Sequence, residues 1–151
     1  MEMRRKTYTG LDFQGIQAAC VGTVSTREWH HFDIILWQSK EDFIEATEQR
    51  GADACHCPAP VKVERDGTLN YPCCLGTIHF IAGKWDEEAV AHECAHAALQ
   101  ASRALGVNPL NQDDMQGNEE CFCYMLGAMT GAAYRWLWER DPNKKWKKDQ
   151  P

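Results

Sequence analysis

The stretch "DEEAVAHECAHAALQASRALG", residues 86–106, constrains the fold more than any other part of the chain. Alanine recurs throughout it, acids fill its first turn where a helix dipole favours negative charge, and Gly106 stands where a left-handed cap ends a helix. A helix from Asp86 to about Leu105 is the expectation. The chain has 151 residues, 44% of them hydrophobic, enough for one compact domain around one core.

A second long helix is predicted from about Asp113 to Glu139, stopped ahead of Pro142. Upstream, "CVGTVSTREWHHFDIILWQ" reads as one or two strands, since Phe32, Ile34 and Leu36 alternate. "SKEDFIEATEQRG" reads as a short amphipathic helix with Ser39 as N-cap and Gly51 as terminator. "ADACHCPAP", with two prolines, reads as a loop. "VKVERDGTLNYPCCLGTIHFIAG" reads as strand, Asp66-Gly67 turn and strand, with the second arm bending near Pro72 into "LGTIHFI". The first 30 residues carry no clear pattern. The order, strands first and long helices last, predicts an α+β fold: a small antiparallel sheet packed on two long C-terminal helices. Residues 1–142 form the expected single domain, followed by a basic polar tail, 143–151.

A formal charge of -6, from 16 Lys and Arg against 22 Asp and Glu, gives no general attraction to nucleic acid or anionic membrane. The tail "NKKWKKDQP" is the exception, and a solvated tail is its simplest reading. Asp12, Gln14 and Gln17 interrupt the apolar residues near the N-terminus, so no secretory segment is read there. No run of 18 apolar residues occurs. The expectation is a soluble cytoplasmic protein whose eight cysteines are free thiols or metal ligands.

Chemistry concentrates in the first long helix. At 100° per residue, His92 and His96 are only about 40° apart and about 6 Å apart in rise, so both imidazoles can reach one ion. Glu93 lies about 60° further round, beside that ion, where a carboxylate can take a proton from bound water. Cys94 points about 160–200° away and is read as a buried thiol. A polar triplet among Ala91, Ala95, Ala97 and Ala98 would be costly if it bound nothing.

A catalytic zinc takes three protein ligands and leaves a position for water. Leu99 and Ser102 stand where a metzincin would have its glycine and third histidine. The second long helix offers Glu119 and Glu120. Glu120 shares a stripe with Gly127 and Gly131, and more loosely with Tyr124 and Ala128, a face that permits close approach of helices, and is preferred; both acids can alternatively favour the helix dipole.

His92, Glu93 and His96, followed 24 residues on by a glutamate, resemble the zincin metallopeptidases and, more narrowly, the gluzincin pattern of thermolysin-like enzymes. The resemblance spans about residues 74–131 and lies in motif and element order. It implies zinc on His92, His96 and Glu120, Glu93 as general base, a peptide or protein substrate, and an edge strand, "GTIHFI", that aligns it. Small proteins of this kind occur in bacteria and their viruses. After the family's glutamate a small residue and then an acid or amide are usual at +3 and +4; here Cys123 agrees and Tyr124 departs. His79 and Tyr124 are candidate oxyanion donors. The rival reading is a non-catalytic protein that keeps a zincin-like fold to bind a protein partner, for which Glu93 has no evident use.

Cys55, Cys57, Cys73 and Cys74 can be read as a four-thiolate zinc site, with His56 able to replace one of them. Their spacing suits packing thiols or a redox pair better, because adjacent strand residues face opposite ways. Cys121 and Cys123 are read as core. His30 and His31 carry no spacing signal, and Tyr134, Trp136 and Trp138 suggest packing at a helix end, with Trp146 left over in the tail.

Overall fold

Strand periodicity is clearest in β3, His31–Trp37, where Phe32, Ile34 and Leu36 enter one core and Ile35 and Trp37 another. All five are fully buried. Such a strand needs cover on both faces, which places it inside a sheet sandwiched between helices. The computed structural model describes residues 10–12, 16–25, 30–111 and 117–144.

Within them a five-stranded sheet contains β1 (Gly10–Asp12), β2 (Ile16–Ser25), β3, β4 (Ala54–Pro58) and β7 (Cys74–Ile81), in the order β1-β2-β3-β7-β4. A separate hairpin, β5 (Lys62–Val63) and β6 (Leu69–Asn70), turns through Asp66 and Gly67 as the sequence predicts. Helix α1 (Lys40–Thr47) covers one face of the sheet with Phe43. Helices α2 (Glu87–Leu105) and α3 (Asn118–Arg140) cover the other.

The α+β expectation therefore holds, but the sheet is mixed, not antiparallel: β7 runs parallel to β3. It also runs antiparallel to β4. β7 is internal because its apolar residues are buried on both faces, Ile78 and Phe80 towards α2 and α3, Ile81 towards α1. Two expectations are corrected by that position. "GTIHFI" is not the edge strand, and "ADACHCPAP" is not a loop, because its residues 54–58 form that edge. An edge tolerates Pro58, which has no N–H to give a neighbouring strand.

Local signals set the helix ends. Asp86 caps α2, its carboxylate accepting from the Ala89 N–H at 2.8 Å, and Gly106 closes the far end with φ of 68°. Ser39 caps α1 as expected, but that helix ends at Thr47, where Glu48 takes the left-handed conformation ahead of Gly51. The start of α3 falls at Asn118, later than expected; residues 112–116 lie outside the described residues.

Helix packing uses the small residues. Cys94, Ala97, Ala98 and Ala101 of α2 meet Met125, Met129, Ala132 and Ala133 of α3 in one cluster with the sheet. Trp136 of α3 is fully buried over Gly22, where any Cβ would collide with the indole ring. At the end of α3, the buried Asp141 accepts from the Gly83 N–H (2.6 Å) and the Trp85 indole N–H (2.7 Å). Trp85, Tyr134 and Trp138 meet edge to face there, as helix-end packing predicts. The Lys144 ammonium lies 4.6 Å from the Trp85 ring, so the chain stays attached to the domain past residue 142. The rest of the expected tail, residues 145–151 with Trp146, lies outside the described residues. No helix among the described residues is long and apolar enough to cross a membrane.

Candidate metal centre

Helix geometry brings the two histidines together. The Nε2 atoms of His92 and His96 are 3.3 Å apart, with ring centroids at 4.9 Å and planes at 77°. Both residues are exposed. Glu93 is the buried member, 7% exposed, with one carboxylate oxygen 3.9 Å from His92 Nε2. The burial cost expected of the triplet therefore falls on this acid alone. Desolvation raises its pKa above the usual carboxylate value, against the pull of His92, His96 and the His56 backbone N–H.

The groups facing the pair come from β4. The His56 ring stacks on that of His96, centroids 6.2 Å apart and planes within 8°. Its Nε2 lies 2.7 Å from Gln100 Oε1, and the Gln100 side-chain NH₂ donates to the Leu75 carbonyl. The amide oxygen is thus the acceptor, and His56 Nε2 carries the proton and donates it. Its Nδ1 keeps a lone pair. Burial lowers the pKa of His56, favouring this neutral form. Next to the centre a groove of about 380 Å³ is lined by residues including Asp53, Lys84, Glu88, His92 and Glu93.

Glu120 is not among these groups. It is exposed in the first turn of α3, as are Tyr124 (61% exposed) and Gly127 on the stripe it shares. An ideal Cβ on Gly127 or Gly131 would touch nothing within 4 Å, so the stripe is not the helix contact expected of it. The reason lies in α2, which presents Cys94 to Thr130 of α3. His92 and His96 lie about 160–200° round the helix from Cys94. Among the described residues, no third His, Cys, Asp or Glu has a ligand atom within 4.8 Å of both imidazoles. Glu119 shares that first turn and is likewise exposed.

Neither expected oxyanion donor faces the pair. His79 packs on the α1 side of the sheet, stacked on Trp37 and edge-on to Phe43. The Trp37 indole N–H donates to its Nδ1 at 2.9 Å, so its proton sits on Nε2, 2.7 Å from Thr77 Oγ1. Tyr124 stands on the exposed stripe of α3.

The cysteines divide into groups. Cys94 is fully buried, as expected, and burial pushes its thiol up to about 12. Cys55 and Cys57 lie on the same face of β4, with sulfurs 3.7 Å apart. Hydrogen bonds from Cys55 and His79 pull Cys57 well below the usual thiol value, while Cys55 is raised by the same neighbour and by burial. Cys73 is exposed, and Cys74 lies on β7 at the opposite side from β4, paired with His31. The four-thiolate arrangement does not form. Cys123 is exposed and Cys121 only half-buried, so neither is core.

Comparisons with protein-family models, curated proteins and solved structures give no match to this chain.

Proposed function

We propose that His92 and His96 hold a zinc ion and that the protein is a zincin-like metallopeptidase with Glu93 as general base. One observation carries this reading. The Nε2 atoms lie 3.3 Å apart, the separation of two nitrogens each bound at about 2.0–2.1 Å to one tetrahedral ion. Zinc, when bound, supplies Lewis acidity towards a water and a peptide carbonyl.

Glu93 moves the proton. Burial strengthens its hold on a proton, which suits an acid that takes one from water and passes it to the leaving amine. The His56 N–H fixes the carboxylate against β4. β4 is the edge strand beside this centre, and an extended peptide can add to such an edge through backbone hydrogen bonds. A peptide or protein segment is therefore the substrate class.

The test is metal content by plasma emission on protein without a histidine tag, joined to cleavage of a peptide library. His96→Ala should lose one equivalent of zinc. Glu93→Gln should keep that zinc and lose about 10²-fold or more in rate. Equal zinc in wild type and His96→Ala would remove the centre, and undiminished cleavage by Glu93→Gln would remove the general base. Zinc binding without cleavage of any peptide would favour the rival, a partner-binding protein with a zincin-like fold. Glu120→Gln and His56→Ala complete the set: the one that loses zinc identifies the third protein donor.

A further inference from the structure

A second cluster lies across the sheet. His31 and Asp33 are two residues apart on β3 and project to the same face as Ile35 and Trp37, the face covered by α1. α1 packs on the far half of that face, through Phe43 against Ile35, Trp37 and Ile81. The near half holds His31, Asp33 and Cys74, all half-buried, with one ligand atom of each within 4.8 Å of the other two.

Cys74 reaches this face because of a bulge. The register pairs Asp33 with Thr77 and Phe32 with Gly76, yet His31 with Cys74, so Leu75 is the extra residue. Leu75 drops into the core under α2 and α3, while Cys74 turns to the His31 side. Bulges re-aim side chains in this way. Two further bonds hold the strand starts together: the His31 N–H donates to the Cys73 carbonyl at 2.9 Å, and His30 Nδ1 donates to the Pro72 carbonyl at 3.0 Å.

We infer that His31, Asp33 and Cys74 form a second metal site, for zinc or a cation of similar softness, that clips the start of β3 to the start of β7. Imidazole, carboxylate and thiolate together form a donor set suited to zinc and poorly suited to magnesium or calcium. In a tetrahedral site such donors lie about 3.3–3.7 Å from one another, within small side-chain rotations of the arrangement seen. The residues come from two strands separated by residues 38–73, so an ion here closes a long loop, and its binding is folding free energy. The cluster lies on the opposite face of the sheet from α2 and shares no residue with His92 and His96.

The probe is cobalt(II) titrated into metal-free full-length protein, read by the thiolate-to-cobalt charge-transfer band. The background is His92→Ala/His96→Ala, which removes the centre on α2. One equivalent of cobalt should develop the band. Cys74→Ser should abolish it, and Cys73→Ser and Cys57→Ser should leave it. Asp33→Asn should keep the band with affinity about tenfold or more weaker, and circular dichroism of each metal-free variant checks that it is folded. No band in the background protein, or a band that survives Cys74→Ser, overturns the site. A band lost in Cys57→Ser but kept in Cys74→Ser assigns the metal to β4 and overturns it equally. If Cys74→Ser does not fold, Asp33→Asn and His31→Ala decide: unchanged cobalt affinity in both refutes the proposal.

Discussion

The two histidine clusters are built in opposite ways. On α2 the donors come from one turn of helix, four residues apart, with Nε2 atoms 3.3 Å apart and exposed to solvent. On the sheet, His31 and Asp33 meet Cys74 across a parallel pair of strands and a bulge, more than forty residues along the chain. The helix-borne pair needs only backbone hydrogen bonds that α2 makes within itself. The sheet-borne cluster exists only when β7 is seated between β3 and β4. Local geometry survives mild damage to the tertiary structure, and long-range geometry does not.

Gly76→Ala should separate the two most sharply. Gly76 has φ of 155°, and a Cβ there would run into the Cys57 carbonyl oxygen, so alanine strains both the bulge and the β4 pairing. A loss of about 3 kcal/mol in denaturant unfolding is expected, with cobalt binding at Cys74 weakened and zinc binding at His96 retained. Equal loss at both centres would break the contrast.

Gln100→Ala reaches both regions from α2. It removes one of the two donors to the Leu75 carbonyl, the Ala59 N–H remaining, and leaves His56 Nε2 without its acceptor. A cost of about 2 kcal/mol is expected, together with weaker cobalt binding, because Leu75 is the bulged residue.

Asp86→Ala removes the α2 cap and should cost about 1 kcal/mol. Its effect should fall on zinc affinity at His92 and His96 and leave the sheet cluster alone, the reverse of Gly76→Ala. Smallest is a labelling difference with no change in stability. Cys57 is thiolate above a pKa of about 4, so iodoacetamide at pH 6 should modify it faster than the more exposed Cys73, as read by mass spectrometry. The lowered pKa means the rate should fall only as the pH drops through that low value. Equal rates for Cys57 and Cys73 would show that the Cys55 and His79 hydrogen bonds do not act as described.

Much of the fold was legible where the signal is local. The bounds of α2, the Ser39 cap, the Gly106 stop, the Asp66-Gly67 turn and the alternation in β3 all follow from neighbours a few residues apart. The errors fall where distant segments compete. The prolines of "ADACHCPAP" argue for a loop, yet its residues 54–58 form a strand because an edge position forgives proline. Element order suggests an edge for "GTIHFI", whereas the apolar residues on both its faces suit the interior it occupies. The glycines beside Glu120 suggest a helix contact, but α3 meets α2 through Met125, Met129, Ala132 and Ala133, and Gly127 and Gly131 touch no neighbour there.

Sequence by itself determined that His92, Glu93 and His96 share one side of a helix, because a helix fixes side-chain directions through bonds spanning only four residues. Which groups stand opposite them was decided by tertiary structure alone: His56 of β4, bound to Gln100 of α2, and not the acids of α3. The same is true of Cys74 beside His31 and Asp33. The physical reason is that strand order, register and bulges are set by the burial of whole faces at once, and no short window of sequence contains the competing faces.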